Sequence, residues 1–226
     1  MHDYVGYLER RLAEASGQKK TVRTEMQLEL ATARLLGDKA FHAISVDMIA
    51  ESAGLAHGTF YRYFAGKREV VAKTLADYLD FIPTVRPAVP RDASAFDAIY
   101  TANLNYIHCF RQNVGLMKCL FHVKDEDPLI AAVSRRADEK LFNRVIRSYR
   151  SRTGDEDVDL VWLRLTTYCL IGMVDELLLK IYGQTNPPLA EFADDAETVA
   201  RILTDLWVKA LYEDASQMRE PARAVA

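Results

Sequence analysis

Helical spacing of the apolar side chains is the feature that most restricts how this chain can fold. From residue 22 to residue 211, apolar residues recur every three or four positions, the period of an α-helix with a buried face. Alternating apolar and polar residues between turn formers, as in half-buried β-strands, are almost absent. Half of the residues are hydrophobic, which is enough to bury a large core. We therefore expect an all-α protein.

Breaks in the helical pattern divide the chain into four parts. Residues 1–20 have a weak amphipathic pattern and form either an extra helix or a loose arm. Residues 21–66 are predicted to be a head of three helices, and residues 67–82 a helix that connects it to the rest. Three prolines follow within a short loop, so residues 83–226 are expected to form a larger helical domain.

Five helices are predicted in the larger domain. Their approximate ranges are 94–112, 114–123, 128–151, 156–182 and 192–213. The fourth is apolar on nearly all sides, and such a helix needs neighbours on two sides. One side can meet the core of its own chain and the other a second subunit, and the broad apolar stripe of the last helix can join that contact.

The charges of the chain are close to balanced, with 29 basic and 32 acidic residues and a pI near 6.0. Up to Lys73, eleven basic residues stand against nine acidic ones, which leaves 18 against 23 in the remainder. This mild asymmetry suits a small DNA-binding head on an acidic body. A protein that packages DNA regardless of sequence would be far more basic.

The cysteines and histidines give no sign of a metal site. Cys109, Cys119 and Cys169 are sparse and lie among apolar residues, which is typical of reduced thiols in a cytoplasm. His108 and His122 stand near two of them, without a paired motif or a four-ligand cluster. No apolar run resembles a signal peptide or reaches the ~18 residues of a membrane span. We expect a soluble, cytoplasmic protein without a cofactor or membrane contact.

Residues 45–64 have the layout of a helix-turn-helix. Ser45 can cap a first helix, Gly54 allows a sharp turn, and a second helix begins near His57. The second helix must bury one side and expose the other. At about 100° per residue, Phe60 and Phe64 fall about 40° apart, on the buried side.

The opposite side of that second helix carries a guanidinium, hydroxyl groups and a glycine. Its members are Gly58, Thr59, Tyr61, Arg62 and Tyr63. Arginine can bond guanine through two N–H groups, and hydroxyls can hold phosphates. A glycine lets the start of the helix approach a phosphate closely. On the pattern alone, an ordinary corner between two helices remains an alternative.

The order of residues in this segment is similar to that of a known family. The run from Ile49 to Lys67, IAESAGLAHGTFYRYFAGK, resembles the DNA-binding signature of the TetR family of transcriptional regulators, as does the preceding KAFHAIS of residues 39–45. The resemblance covers roughly residues 21–75, and over the body it extends only to helix number and length. It implies a homodimer held by the last two long helices, and a connecting helix that transmits a ligand signal to the head.

The resemblance also implies a role for each outward residue. The positions that face bases or the groove are those of His57, Tyr61 and Arg62, and the positions that hold phosphates are those of Thr59, Tyr63 and Lys67. The two tyrosines can instead brace the head, and Lys67 can be an ordinary solvated lysine. Ala56 departs from the family, which often places Ser or Thr there as the helix cap. The basic residues before the head, Lys19, Lys20 and Arg23, form either a phosphate arm or a solvated charge run.

Candidates for a ligand pocket come from the helices of the body and the connecting helix. They are mostly aromatic, with a few polar groups, a mixture typical of an apolar effector pocket. The candidates are Tyr78, Tyr100, Asn103, Tyr106, Met117, Phe121, Trp162 and Tyr168. For each of them, packing in an ordinary core is the leading alternative.

The function that fits these features is sequence-specific regulation of transcription. We expect a repressor that a small, largely apolar ligand releases from a palindromic operator in double-stranded DNA. A two-fold dimer is expected because one short recognition helix reads only a few base pairs. An all-helical enzyme is the main alternative. Against it, the chain lacks a nucleophile elbow, a phosphate-binding glycine loop, a zinc-binding helix and a convincing carboxylate pair.

Overall fold

The computed structural model of the chain describes residues 2–90, 92–183 and 186–212. Within those ranges, the backbone forms ten α-helices joined by turns and short 3-10 segments, and none of it forms a β-strand. The all-α class that the apolar spacing predicts is therefore confirmed.

The first four helices are short apart from the second. They are α1 (Tyr4–Glu14), α2 (Lys20–Asp38), α3 (Val46–Ser52) and α4 (His57–Phe60). Helices α2, α3 and α4 form the head, and α1 packs along α2. The segment before residue 20, for which an arm or a helix was expected, is thus mostly helical.

The head is followed by a connecting helix, α5 (Lys67–Phe81), which packs between α2 and a helix of the body. It ends one residue before the predicted boundary, because Pro83 in the next turn has no N–H with which to continue the helix. A 3-10 turn over Ile82–Val85 leads into the proline-containing loop.

The body contains the five helices that the sequence predicts. They are α6 (Ala95–Gln112), α7 (Val114–Val123), α8 (Pro128–Thr153), α9 (Leu160–Leu178) and α10 (Ala196–Tyr212). Helix α6 packs along α10, and α8 packs against both α5 and α9. The connecting helix therefore contacts the body mainly through α8.

Two helices of the body begin four residues later than predicted, and an aspartate explains each start. Asp159 accepts hydrogen bonds from the N–H groups of Val161 and Trp162, which fixes the start of α9. Asp195 accepts one from the N–H of Thr198 at the start of α10. At its other end, α9 continues as a π-helical turn over Leu179–Gly183.

Helix α1 is fixed to the corner between α6 and α7 as well as to the head. The N–H of Tyr4 donates to Oδ1 of Asn113 over 2.9 Å, and Nδ2 of Asn113 donates to the carbonyl of His2 over 2.8 Å. Tyr4 and Leu8 are almost fully buried. The start of the chain is therefore part of the core.

The head also contacts the body where the end of α2 meets the start of α7. A Cβ atom on Gly115 would overlap the carbonyl oxygen of Leu36 and would lie 2.7 Å from Cα of Gly37. Only a glycine allows two backbones to approach so closely. The first turn of α7 therefore rests directly on the backbone of the head.

Candidate nucleic-acid interface and ligand cleft

The turn between α3 and α4 has the geometry of a helix-turn-helix. Gly54 adopts a φ of 69°, in the left-handed region that favours glycine, and so reverses the chain after α3. Phe60 and Phe64 are buried beneath the turn, with exposures of 0% and 4%. Ser45 caps α3 by accepting a 3.2 Å hydrogen bond from the N–H of Met48, as the sequence predicts.

Most of the residues expected to face DNA are at least partly exposed on the head. Gly58, Tyr61 and Arg62 are exposed, and Thr59 and Tyr63 are half-buried. Helix α4 has only four residues, and the chain continues from it as a turn through Tyr63. The outward groups therefore project from one helical turn and the loop that follows it.

His57, at the first position of α4, is held by a neighbouring helix. Its Nδ1 atom forms an ion pair with a carboxylate oxygen of Asp47 on α3, and its ring meets the ring of Tyr61 edge-on at 5.1 Å. The preceding Ala56 supplies no side-chain cap, as expected. Asp47 thus orients the imidazole and would compete with DNA for it.

Lys67 braces the inside of the head. Its Nζ atom donates hydrogen bonds to the carbonyls of Phe41 and Ile44 over 3.0 and 2.8 Å, and it lies 4.3 Å from the centre of the Phe41 ring. Burial lowers its pKa. Two of its three N–H groups are therefore engaged, and the expected phosphate contact stays a prediction.

A basic groove of about 340 Å³ lies beside the helix-turn-helix. It is lined by Gln18, Lys20, Arg23, Thr24, Gln27 and Leu55. Leu55 belongs to the turn, so the first turns of α2 lie next to the exposed side of the head. Lys20 and Arg23, which the sequence places in either a phosphate arm or a solvated charge run, thus line a groove with two glutamines that the sequence does not single out.

The body contains a half-open cleft of about 370 Å³ between α7, α8 and α9. Its walls are formed by Phe121, His122, Lys124, Ser134, Asp138, Tyr168, Ile171, Gly172, Asp175, Glu176 and Leu179. Three of these side chains are carboxylates and two are aromatic rings. The cleft is therefore mixed in character and not predominantly apolar.

Asp175 is the most enclosed charged group of the cleft. Its Oδ1 atom accepts a 2.7 Å hydrogen bond from the hydroxyl of Tyr106 on α6. Burial raises the pKa of Asp175 to about 7; the bond from Tyr106 opposes this rise, and repulsion from Asp138 adds to it. Burial also raises the pKa of Asp138. Both carboxyl groups thus lie in surroundings that disfavour an uncompensated charge.

The residues predicted to form a pocket are not brought together. Of the eight, Phe121 and Tyr168 line the cleft, and Tyr106 reaches it through Asp175. Met117 is buried at 1% exposure, and Tyr78 is buried with its hydroxyl bonded to the carbonyl of Cys109.

The other three predicted pocket residues also pack within the body. Asn103 donates to the hydroxyl of Thr204 and so joins α6 to α10. Tyr100 stacks on Phe96, and Trp162 meets the ring of Tyr149. Asp138 and Asp175 are among the cleft residues that the sequence does not single out. Two adjacent carboxylates, Asp175 and Glu176, within the otherwise apolar run 169–179 are the signal that the sequence offers for Asp175.

Exposed large apolar side chains are concentrated on the outer side of α9 and α10. Of the nine such residues in the described ranges, six lie on these two helices: Leu160, Val161, Leu165, Tyr168, Ile202 and Leu206. The opposite side of α9 is buried, with Leu163 and Val174 at 0% and 5% exposure. Helix α9 is therefore apolar on both sides, as predicted, and one of them is uncovered in a single chain.

In the part of the chain that the structure describes, no three His, Cys, Asp or Glu side chains come together as a metal site would require. No helix in these ranges has the length and apolarity needed to cross a membrane.

The chain is similar to known regulatory proteins in sequence and in fold. Residues 30–74 match the family model described as bacterial regulatory proteins, tetR family. The transcriptional repressor KstR2 of Mycobacterium tuberculosis is 37% identical over 67 residues, which is 30% of this chain and 32% of the repressor. The chain thus spans about a third of the length of the curated repressors that it matches.

Solved structures extend the likeness to the body. A transcriptional regulator from Rhodococcus sp. Rha1 superposes with a TM-score of 0.67 at 17% identity, over 82% of this chain and 96% of that one. FadR of Bacillus subtilis, solved in complex with stearoyl-CoA, superposes with a TM-score of 0.63 at 16% identity, over 83% of this chain and 98% of that one. At these identities the likeness concerns the fold alone.

Proposed function

Because this chain belongs to the TetR family of bacterial regulatory proteins through its N-terminal domain, we propose that it is a sequence-specific, DNA-binding regulator of transcription. In this proposal it acts as a repressor, and a small molecule releases it from a palindromic operator. The name of its relative KstR2, a transcriptional repressor, supports the direction of control. The cytoplasmic location expected from the sequence belongs to the same proposal.

The observation that carries the proposal is the exposed side of the helix-turn-helix. Tyr61 and Arg62 are exposed directly above the buried ring of Phe60. A guanidinium in that place can bond the O6 and N7 atoms of guanine in the major groove. The basic groove at Lys20 and Arg23 lies beside it and can contact phosphates. In this proposal, the groups that read bases and the groups that hold the DNA backbone share one surface.

A homodimer is part of the proposal, and the outer side of α9 and α10 supports it. Six large apolar side chains exposed on two neighbouring helices are typical of an interaction site. Because a palindrome presents its two half-sites about one helical turn apart, a two-fold dimer would place one head in each major groove. A second copy of the chain is therefore the proposed occupant of this surface.

Release by a ligand is the remaining part, and two features support it. The cleft lies within the body, and α7 supplies both a wall of the cleft and the contact of Gly115 with the head. A ligand that shifts α7 would therefore shift the head as well. A coupling of ~1–3 kcal/mol between the two sites gives a loss of DNA affinity of roughly 5–150-fold.

Fluorescence anisotropy with labelled DNA from upstream of the coding region tests the proposal. We expect specific binding that weakens with salt, and random DNA of equal length should bind far more weakly. Arg62→Ala should lower the operator affinity by about 1–3 kcal/mol and relax the base preference. Arg136→Ala makes the same change of charge on α8, away from the head, and should leave the affinity unaltered.

Two outcomes would contradict the proposal. Absence of binding to the upstream DNA would favour a function outside transcription, such as the enzyme considered above. Equal binding to operator and random DNA would indicate a packaging protein.

A further inference from the structure

The cleft between α7, α8 and α9 has an excess of negative charge. Asp138, Asp175 and Glu176 face it together with a single lysine, Lys124. Glu176 is neutralised by Lys180, one helical turn further along α9, over 3.2 Å. Two carboxyl groups and one ammonium group therefore remain to determine the charge inside, and it is negative once the pH exceeds the pKa of about 7 that burial gives Asp175.

Neither Asp138 nor Asp175 forms an ion pair with any residue in the described ranges. Lys124 is directed at the ring of Phe121, with its Nζ atom 5.0 Å from the ring centre. The Oδ1 atom of Asp175 accepts a hydrogen bond from Tyr106, and its Oδ2 atom has no hydrogen-bond partner in the part of the protein that the structure describes. The side chain is half-buried in the wall of the cleft, so a ligand in the cleft can donate to this oxygen.

The rest of the wall is suited to an apolar group. The rings of Phe121 and Tyr168 line the cleft, and the side chains of Ile171 and Leu179 complete that part of it. Aromatic faces attract cations as well as apolar surface. A volume of about 370 Å³ is in the range of pockets that hold small molecules.

We propose that this cleft binds a small organic cation, whose charged nitrogen lies between Asp138 and Asp175 and whose apolar part packs on Phe121 and Tyr168. The proposal names the class of ligand for the regulator described above. It rests on that proposed function for the link between the cleft and DNA binding. A cation replaces the largely apolar ligand expected from the sequence, because two carboxylates without ion pairs would be desolvated by an apolar ligand without compensation.

The location of the cleft links its occupant to the head and to the proposed dimer. Phe121, His122 and Lys124 lie at the end of α7, and Gly115 lies at its start, against the head. Tyr168 and Gly172 belong both to the wall of the cleft and to the exposed side of α9. A bound cation would therefore contact the helix that touches the head, at the edge of the subunit contact.

Calorimetric titration of the full chain without DNA tests the site itself. The probes are benzylammonium, 2-phenylethylammonium and benzyltrimethylammonium, with benzyl alcohol as the neutral counterpart and Mg²⁺ as an inorganic cation. We expect at least one of the organic cations to bind about tenfold more tightly than benzyl alcohol, and Mg²⁺ to bind no more tightly than the alcohol. Binding of all three organic cations no better than the alcohol would overturn the proposal, as would a preference for Mg²⁺.

Variants locate the binding. Asp175→Asn keeps an acceptor for Tyr106 and removes the charge, and Asp138→Asn removes the second charge without touching that hydrogen bond. Each should weaken the cation about tenfold and leave benzyl alcohol unaffected. Glu139→Gln makes the same change one residue away from Asp138, at an exposed position of α8, and should have no effect. Equal effects of Asp138→Asn and Glu139→Gln would show that the cation binds elsewhere.

Repeating the anisotropy measurement with the cation present separates this inference from the proposed function. If the protein binds the cation but no DNA, the site stands and the regulatory function fails. If it binds operator DNA but prefers no cation, the function stands and the site fails. If both bind, the cation should weaken operator binding, and the operator should weaken cation binding by the same factor.

Discussion

The hydroxyl of Tyr4 donates a 2.7 Å hydrogen bond to the carboxylate of Glu29, and this bond joins the first helix to the head. The Tyr4 ring lies 5.3 Å from the rings of both Tyr78 and Phe81 on the connecting helix. Its backbone N–H bonds Asn113 in the body. One residue near the start of the chain thus contacts the head, the connecting helix and the body.

Removing the Tyr4 hydroxyl should destabilise the protein. Tyr4→Phe leaves the buried Glu29 carboxylate without its donor, so the free energy of unfolding should fall by about 1–3 kcal/mol in chemical denaturation. Tyr7→Phe is the matched control, because the Tyr7 ring also packs on Phe81, at 4.7 Å, and no hydrogen bond of its hydroxyl is seen in the described ranges. Equal losses in the two variants would show that the bond to Glu29 adds no stability.

The stability of the protein should depend on pH through Glu29. Burial raises the pKa of Glu29 to about 7, and the nearby Asp77 acts in the same direction. The hydrogen bond from Tyr4 and the charge of Lys73 oppose this rise. An unfolded glutamate titrates near pH 4.3. Between these values the folded state holds more protons, so the contribution of Glu29 to stability is present below pH ~4.3 and is lost as the pH rises through about 7.

Glu29→Gln should remove that part of the pH dependence while keeping an acceptor for Tyr4. Unfolding free energies at pH 5 and pH 8 should differ less in the variant than in the unchanged chain. Glu9→Gln, at an exposed position of α1, should leave the difference as it is. An identical difference in all three proteins would mean that Glu29 does not control it.

We expect loss of the Lys67 amine to lower folding stability in the first place, and DNA affinity only in the second. Lys67→Met keeps the apolar stem but removes the donor to the Ile44 carbonyl, and it leaves the Phe41 carbonyl with the backbone N–H of Ile44 alone. Stability should therefore fall by about 1–3 kcal/mol. Lys39→Met removes an exposed lysine of the same head and should cost little. If Lys67→Met unfolds like the unchanged chain but binds all DNA more weakly, Lys67 acts on phosphates alone.

An acidic residue on the outer side of α9 should separate the subunits. Leu165 is 63% exposed on that side, and Leu165→Asp should return a sedimentation mass near 25.6 kDa in place of about twice that value. Leu129→Asp places the same charge at a leucine of α8 that is 50% exposed, and it should leave the dimer intact. A monomer formed by the unchanged chain at micromolar concentration would contradict the proposed interface.

The backbone contact at Gly115 should tolerate no side chain. In Gly115→Ala the new methyl group meets the backbone of Leu36 and Gly37, so the head has to move away from α7, and operator affinity should fall by about fivefold or more. Gly37→Ala lies in the same contact but directs its methyl group into open space, and it should leave the affinity unchanged. Normal DNA binding by Gly115→Ala would show that the head is insensitive to α7.

The helices could be predicted from the sequence because the apolar spacing records which side each one buries. The helix-turn-helix was predicted in detail for the same reason: Ser45 caps α3, and Phe60 and Phe64 point inward. The starts of α9 and α10 were misplaced because the apolar pattern does not reveal which aspartate accepts the first free N–H groups. Asp159 and Asp195 determine those starts.

The ligand cleft could not be predicted because an aromatic residue looks the same in a core as in a pocket. Tyr78 and Asn103 were candidates, yet each is buried with a hydrogen-bond partner inside the protein. Which side chains share a cavity depends on how three helices cross, and Asp138 and Asp175 meet only because α8 and α9 pack together. The two carboxylates in the apolar run of α9 are the local signal that the sequence offers.

The contact between Gly115 and Gly37 limits how the two parts of the chain can move. Side chains at an interface can change rotamer and let two helices slide, but two backbones in contact cannot. The head would therefore turn about this point more easily than it would slide across it. A small displacement of α7 would then change the angle of the head. In a dimer, each head would then meet its groove at the wrong inclination before the separation of the two heads had changed appreciably.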